Sequence, residues 1–113
     1  MIIAQRKLKI VAGPHAGTPV VVSVHLPQQL EGHWSCAYEI GWPKRPRRSV
    51  SGGIDAVQAL ISAMQKIGIE LYTSTFHATN ALVFDGPGMG YGFPVPKPMR
   101  DVLVGDDKLF DGP

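Results

Sequence analysis

The chain has 113 residues and a mass of 12.2 kDa, with 44% apolar residues, 18% charged residues and a formal net charge of +2. That is the size of one ordinary domain, too apolar for a disordered chain and too weakly charged to imply a polyanionic partner by itself. Apolar runs fall short of the ~18 residues of a membrane-spanning helix, Met1–Lys7 lacks the basic-then-apolar order of a signal peptide, and one cysteine excludes an internal disulfide framework. The expectation is a soluble, cytoplasmic single domain over 1–113 with no membrane contact.

Three N-terminal segments alternate with period two and predict strands at about 2–11, 19–26 and 33–42. Ala4, Leu8 and Ile10, then Val20, Val22, Val24 and Leu26, then Trp34, Cys36, Tyr38 and Ile40 all fall at even positions, which are expected to form the buried face. Arg6 is the exception in that row and is expected near the sheet's margin. Short Gly/Pro linkers, Ala12–Gly17 and Pro27–Gly32, favour antiparallel hairpins. Pro43–Arg48 carries two prolines and reads as a loop rather than a central strand.

The period then changes. Ile54, Val57, Leu60, Ile61, Met64, Ile67 and Leu71 recur at steps of three and four, so a helix is predicted over about 53–72 with that row buried and Ser51 in the cap region. Gly68 inside it costs ~1 kcal/mol relative to alanine. Ala81–Phe84 predicts a short strand at about 81–84. Residues 86–113 are rich in glycine and proline and read as irregular chain, frayed after about Gly105, in which Tyr91, Phe93 and Phe110 still need cover. The fold class is α+β: two layers, a mainly antiparallel meander of three to four strands against one long amphipathic helix, and an irregular Gly/Pro-rich C-terminal segment.

The most suggestive local chemistry is a basic loop running into the helix start. Lys44, Arg45, Arg47 and Arg48 precede Ser51, Gly52 and Gly53. Arginines grip phosphate or carboxylate in a two-pronged way, and a helix N-terminus offers free N–H groups, so these seven residues form a candidate anion or nucleic-acid site. Against it, Asp55 already answers the helix dipole, and a short basic run is usually solvated surface. Ser49–Gly53 half resembles a nucleophile elbow but lacks its first glycine and its buried strand, so helix capping is the better role for Ser51. Trp42, Tyr91 and Phe93 are candidate partner contacts, weighed against simple core packing.

His25 and His33 lie on the wet face with Glu39, but the register is open and plain surface is the more economical reading. Cys36 alternates with the core and reads as inert packing. The spacing supplies no catalytic residue, no metal site and no cofactor.

Trp34–Gly41, Gly53–Leu60 with the helix through Glu70–Tyr72, and Gly90–Pro94 resemble a family of small bacterial proteins known only as a domain of unknown function. The resemblance covers residues 34–94. It implies a bacterial origin and a soluble single-domain unit, and carries over no activity or site residue. The leading functional expectation is a non-catalytic binding or protein-interaction module with an unidentified protein partner. Nucleic acid through the basic loop is the second partner class, and a homodimer through the Met1–Ile10 edge a third. An enzyme acting on a small anionic substrate at Ser51 ranks last.

Overall fold

The computed structural model describes residues 1–86 and 88–109. Six strands form one antiparallel sheet: β1 (Ile2–Ile10), β2 (Pro19–His25), β3 (Gln28–Leu30), β4 (His33–Ile40), β5 (Arg47–Gly53) and β6 (Leu82–Val83). β4 is the pivot. One edge of it pairs first with β2, from Val22↔Ile40 to Val24↔Tyr38, and then with β3, from Gln28↔Ser35 to Leu30↔His33. The other edge carries β5 along Trp34↔Gly53 to Ile40↔Arg47. β1 pairs with β2 and takes β6 on its far side only at Lys9 and Ile10.

The expected alternation holds through the middle of the strands, but Ala4 and Leu26, at the ends of the row, are exposed rather than buried. Leu8, Ile10, Val20, Val22, Val24, Cys36, Tyr38 and Ile40 are all buried at even positions on the face that meets the helix. Arg6 is half-buried in that row. Its Nη1 donates to the Tyr91 carbonyl at 3.1 Å, and its guanidinium lies 4.5 Å from the Phe84 ring centre, so the charge is held by a carbonyl and aromatic faces.

α1 (Ala56–Tyr72) lies over β4 and β5. Its cap is reciprocal: Asp55 accepts from the Gln58 N–H at 2.8 Å, and Gln58 Oε1 accepts from the Ile54 N–H at 2.6 Å. The cap is therefore Asp55, not Ser51, and the helix begins at Ala56 rather than 53. A short helix α2 (Thr75–Ala78) follows and leads into β6.

Three expectations need correction. Residues 47–53 are not a loop running into the helix. They form β5, an edge strand that the prolines at 43 and 46 precede rather than interrupt. The helix buries the expected row of large side chains only in part: Ile67 and Leu71 are buried and Leu60 and Met64 pack half-buried against the core, but the other three do not. Ala59, Ala63, Ile67, Gly68, Leu71 and Tyr72 face the core, while Ile54, Val57 and Ile61 are 82%, 64% and 51% exposed. The C-terminal segment is more regular than its composition suggests, with a 3-10 turn over Lys97–Val102 and a short helix α3 (Asp106–Leu109) where fraying was expected. Phe110 lies outside the described residues.

The helix rotation has a steric cause. A Cβ on Gly53 would sit 2.4 Å from the Ala59 backbone nitrogen, and one on Gly68 would sit 1.9 Å from the Pro94 carbonyl oxygen. α1 therefore approaches β5 and the 94–95 segment too closely for anything but its small side chains. Helix propensity alone says that Gly68→Ala gains about 1 kcal/mol. The contact reverses the sign, and the variant should lose roughly 1–3 kcal/mol by overpacking. Urea unfolding should show a lowered midpoint; a raised one contradicts the close approach.

Candidate binding surfaces

The basic run is divided by β5. Arg47 faces the helix, where its Nε donates to Glu70 Oε1 at 2.6 Å, and Tyr38 donates its hydroxyl to the other oxygen of the same carboxylate. Arg48 points to the open face of the sheet and donates to Glu39, whose carboxylate also lies 3.4 Å from His25 Nε2. Each arginine thus has its own carboxylate, an arrangement the strand register creates by placing Glu39 opposite Arg48. Lys44 and Arg45 remain exposed in the turn, Lys44 with φ of 67°. Ser51 is 4% exposed and sits opposite Cys36 in the sheet, with Gly52 and Gly53 following on the same strand. The seven residues share one strand and turn, but they do not converge on a helix N-terminus.

The other singled-out side chains mostly serve packing. Tyr91 and Phe93 are each 4% exposed, so their rings belong to the interior. Trp42 is half-buried and stacks on Phe76 with ring centres 5.5 Å apart. Cys36 is buried, burial pushes its thiol pKa up, and its Sγ donates to the His25 carbonyl at 3.4 Å. The register parts the two strand histidines: His25 pairs with Ile2 and His33 with Leu30.

The exposed apolar surface lies elsewhere. The start of β1, the end of β2 and the start of α1 meet at one end of the molecule. There Ile3, Ala4, Val24, Leu60, Ile61, Met64 and Pro94 line an open groove of about 420 Å³ whose walls are entirely apolar. Its origin is local. Ile61 and Gly68 stand two turns apart on one helix flank. At Gly68 the Pro94–Val95 segment covers that flank; at Ile61 nothing among the described residues does. Ile3 adds to the patch because a bulge between Ile2 and Ala4 shifts its register. The sequence did hold a signal for this site: the large apolar row of α1 is broader than one buried stripe needs once Ala59 and Ala63 take the core.

A second, polar centre ties the C-terminal segment down. Asp107, 7% exposed, accepts from the Tyr72 hydroxyl at 2.5 Å and from the N–H groups of Tyr91 and Gly92 at 2.9 and 2.7 Å. The Tyr91 hydroxyl meets His77 Nδ1 at 2.5 Å, and the imidazole stands edge-on to the Tyr72 ring at 4.8 Å. Burial raises the pKa of Tyr72, and burial with the nearby Asp107 charge pushes Tyr91 up to about 12. Burial lowers that of His77. No group of three His, Cys, Asp or Glu side chains among the described residues is placed to hold a metal, and no described helix is long and apolar enough to cross a membrane.

Fold and surface together define a small two-layer α+β domain with an uncovered apolar groove. The family model of the domain of unknown function DUF6968 matches residues 4–95, and the chain belongs to that family. The curated proteins and the solved structures give no significant match. The matched span includes His77 and the groove apart from Ile3, while Asp107 lies beyond it.

Two predictions follow from the polar centre. Asp107→Ala strands two buried donors and a third that is partly buried, and should cost roughly 3 kcal/mol or more in urea unfolding; a loss within ~0.5 kcal/mol, ordinary for a surface change, contradicts the hub. His77 favours its neutral form when folded, while the unfolded chain takes a proton near the ordinary 6.5. Its contribution is therefore complete above that value and lost as pH falls toward the depressed native one. Stability should drop as pH falls through and below about 6.5, and His77→Gln should flatten the slope. An identical slope in the variant refutes the assignment.

Proposed function

We propose that the protein is a non-catalytic binding module that holds a partner polypeptide by apolar side chains in the groove between α1 and the start of β1. The observation carrying this reading is the groove's purely apolar lining beside a half-exposed Ile61. Isolated exposed apolar residues are ordinary, but a contiguous apolar depression marks a surface that is covered in use. The chain itself supplies the template. Beside Gly68 the flank of α1 is filled by the extended Pro94–Val95 segment. A partner segment of similar apolar character fills the same flank beside Ile61. With no charged side chain lining the groove, the attraction is hydrophobic and only weakly salt-dependent.

The pairing of Arg47 with Glu70 and of Arg48 with Glu39 leaves less free positive charge for a polyanion than the basic run suggests, which favours a protein partner over nucleic acid.

The test is affinity capture from cells that naturally contain the protein, with nuclease present, comparing wild type, Ile61→Asp and the double variant Lys44→Ala/Arg45→Ala. Ile61→Asp should keep its stability within about 0.5 kcal/mol, as a solvent-facing change does. It should weaken retention of the partner by roughly tenfold or more, because a carboxylate must then be buried against apolar walls. The double variant should retain the partner. Undiminished capture by Ile61→Asp, or capture lost with nuclease, overturns the reading.

A further inference from the structure

A cavity of about 350 Å³ opens where α2, β6 and the glycine-rich chain meet. Leu82, Val83 and Val104 supply apolar walls, and Gly86, Gly88 and Gly90 add backbone to the lining. A Cβ on Gly88 would meet nothing within 4 Å, so space is open at that point.

Two side chains bring polar groups to it. His77 is clamped: Nδ1 meets the Tyr91 hydroxyl, and the ring stands edge-on to both Tyr72 and Tyr91. Its Nε2 has no hydrogen bond within the described structure and is not sealed from solvent. Asn80 is held by its backbone. Its N–H donates to the His77 carbonyl at 3.0 Å, and the Ala81 N–H donates to the Phe76 carbonyl at 2.8 Å. These are the two bonds of a Schellman turn, with Asn80 at the left-handed position, φ 57°. Asn80 is exposed at the cavity mouth, and nothing in that turn uses its amide, which has no hydrogen-bond partner within the described structure.

We infer that this cavity is a small-molecule site for an uncharged, flat nitrogen heterocycle of the nucleobase kind. The amide of Asn80 and the free nitrogen of His77 read its edge, and the glycine backbones and Leu82 face its plane. Charge argues for the class. Among the described residues the lining holds no carboxylate, and its one imidazole stays neutral near neutral pH because burial disfavours the imidazolium. An ionic ligand would lose hydration with no counter-charge to replace it, whereas a neutral ring with adjacent donor and acceptor matches an amide in two-pronged fashion. The volume sits at the lower end for ligand pockets, which suits a single ring system. The site is independent of the protein-binding groove.

The test uses adenine and uracil separately at millimolar concentration, followed by backbone amide and imidazole resonances of the whole chain. The comparison variant is Asn80→Gly, because glycine is the favoured residue at this left-handed position and so keeps the turn while deleting the amide. The expected result is that at least one probe shifts Gly86, Gly88, Gly90 and His77, and that Asn80→Gly, with an unchanged melting temperature, weakens this by about tenfold or more, the worth of one two-pronged contact. Absence of shifts with both probes, shifts confined to other residues, or equal affinity in Asn80→Gly each overturn the inference.

Discussion

The whole arrangement depends on how closely α1 can approach what lies beneath and beside it. At Gly53 and at Gly68 there is no room for a single methyl group, and Ala59 and Ala63 occupy the positions between them and the sheet. Close-packed interiors tolerate such contacts only when the facing residues are small, so the helix turns its small side inward at its N-terminal half. The larger side chains that would otherwise fill a core, Val57 and Ile61 among them, are then carried round to the surface. The groove is thus a by-product of close backbone packing.

The same geometry explains why the C-terminal segment matters. Residues 91–95 fill the flank of α1 that Gly68 leaves open, and they stay there because Asp107 holds the N–H groups of Tyr91 and Gly92 while its other contact, the Tyr72 hydroxyl, comes from the end of α1. One buried carboxylate therefore joins the last turn of the helix to the strip beside it. A buried charge is tolerated when its lone pairs are met by several donors, and here three converge. The strip ends at Pro94, and the exposed apolar surface begins there.

Much of the sheet was legible in the sequence. β1, β2 and β4 announce themselves by strict alternation, and β6 by a short apolar run between turn residues. β5 was hidden because Arg47–Gly53 contains one large apolar residue, Val50, and that side chain is exposed; its pairing with β4 comes from backbone bonds and cross-strand charge, which composition does not record. The helix was legible as a helix, and so was its buried face at Ile67 and Leu71, but not the exposure of Ile54, Val57 and Ile61. Periodicity gives weight to Ile, Leu and Met and little to Ala and Gly, so the row of largest residues looked like the buried face. The true stripe is fixed by distances to Gly53 and Pro94, which are distant in sequence. For the same reason the groove went unread, whereas core packing of Tyr91 and Phe93, weighed in the sequence against partner contact, agrees with their burial.

The measurement that bears most directly on this account is the solvent accessibility of the isoleucine methyl groups, read from relaxation enhancement by an inert paramagnetic chelate added to the free protein. The account predicts strong enhancement at Ile61 and Ile54 and almost none at Ile67, six residues along the helix from Ile61 but within the core. Protection of the Ile61 methyls equal to that of Ile67 in dilute, monomeric protein would mean that the helix is rotated to bury its large side chains. The close approach at Gly53 and Gly68, and the groove built on it, would then both be wrong.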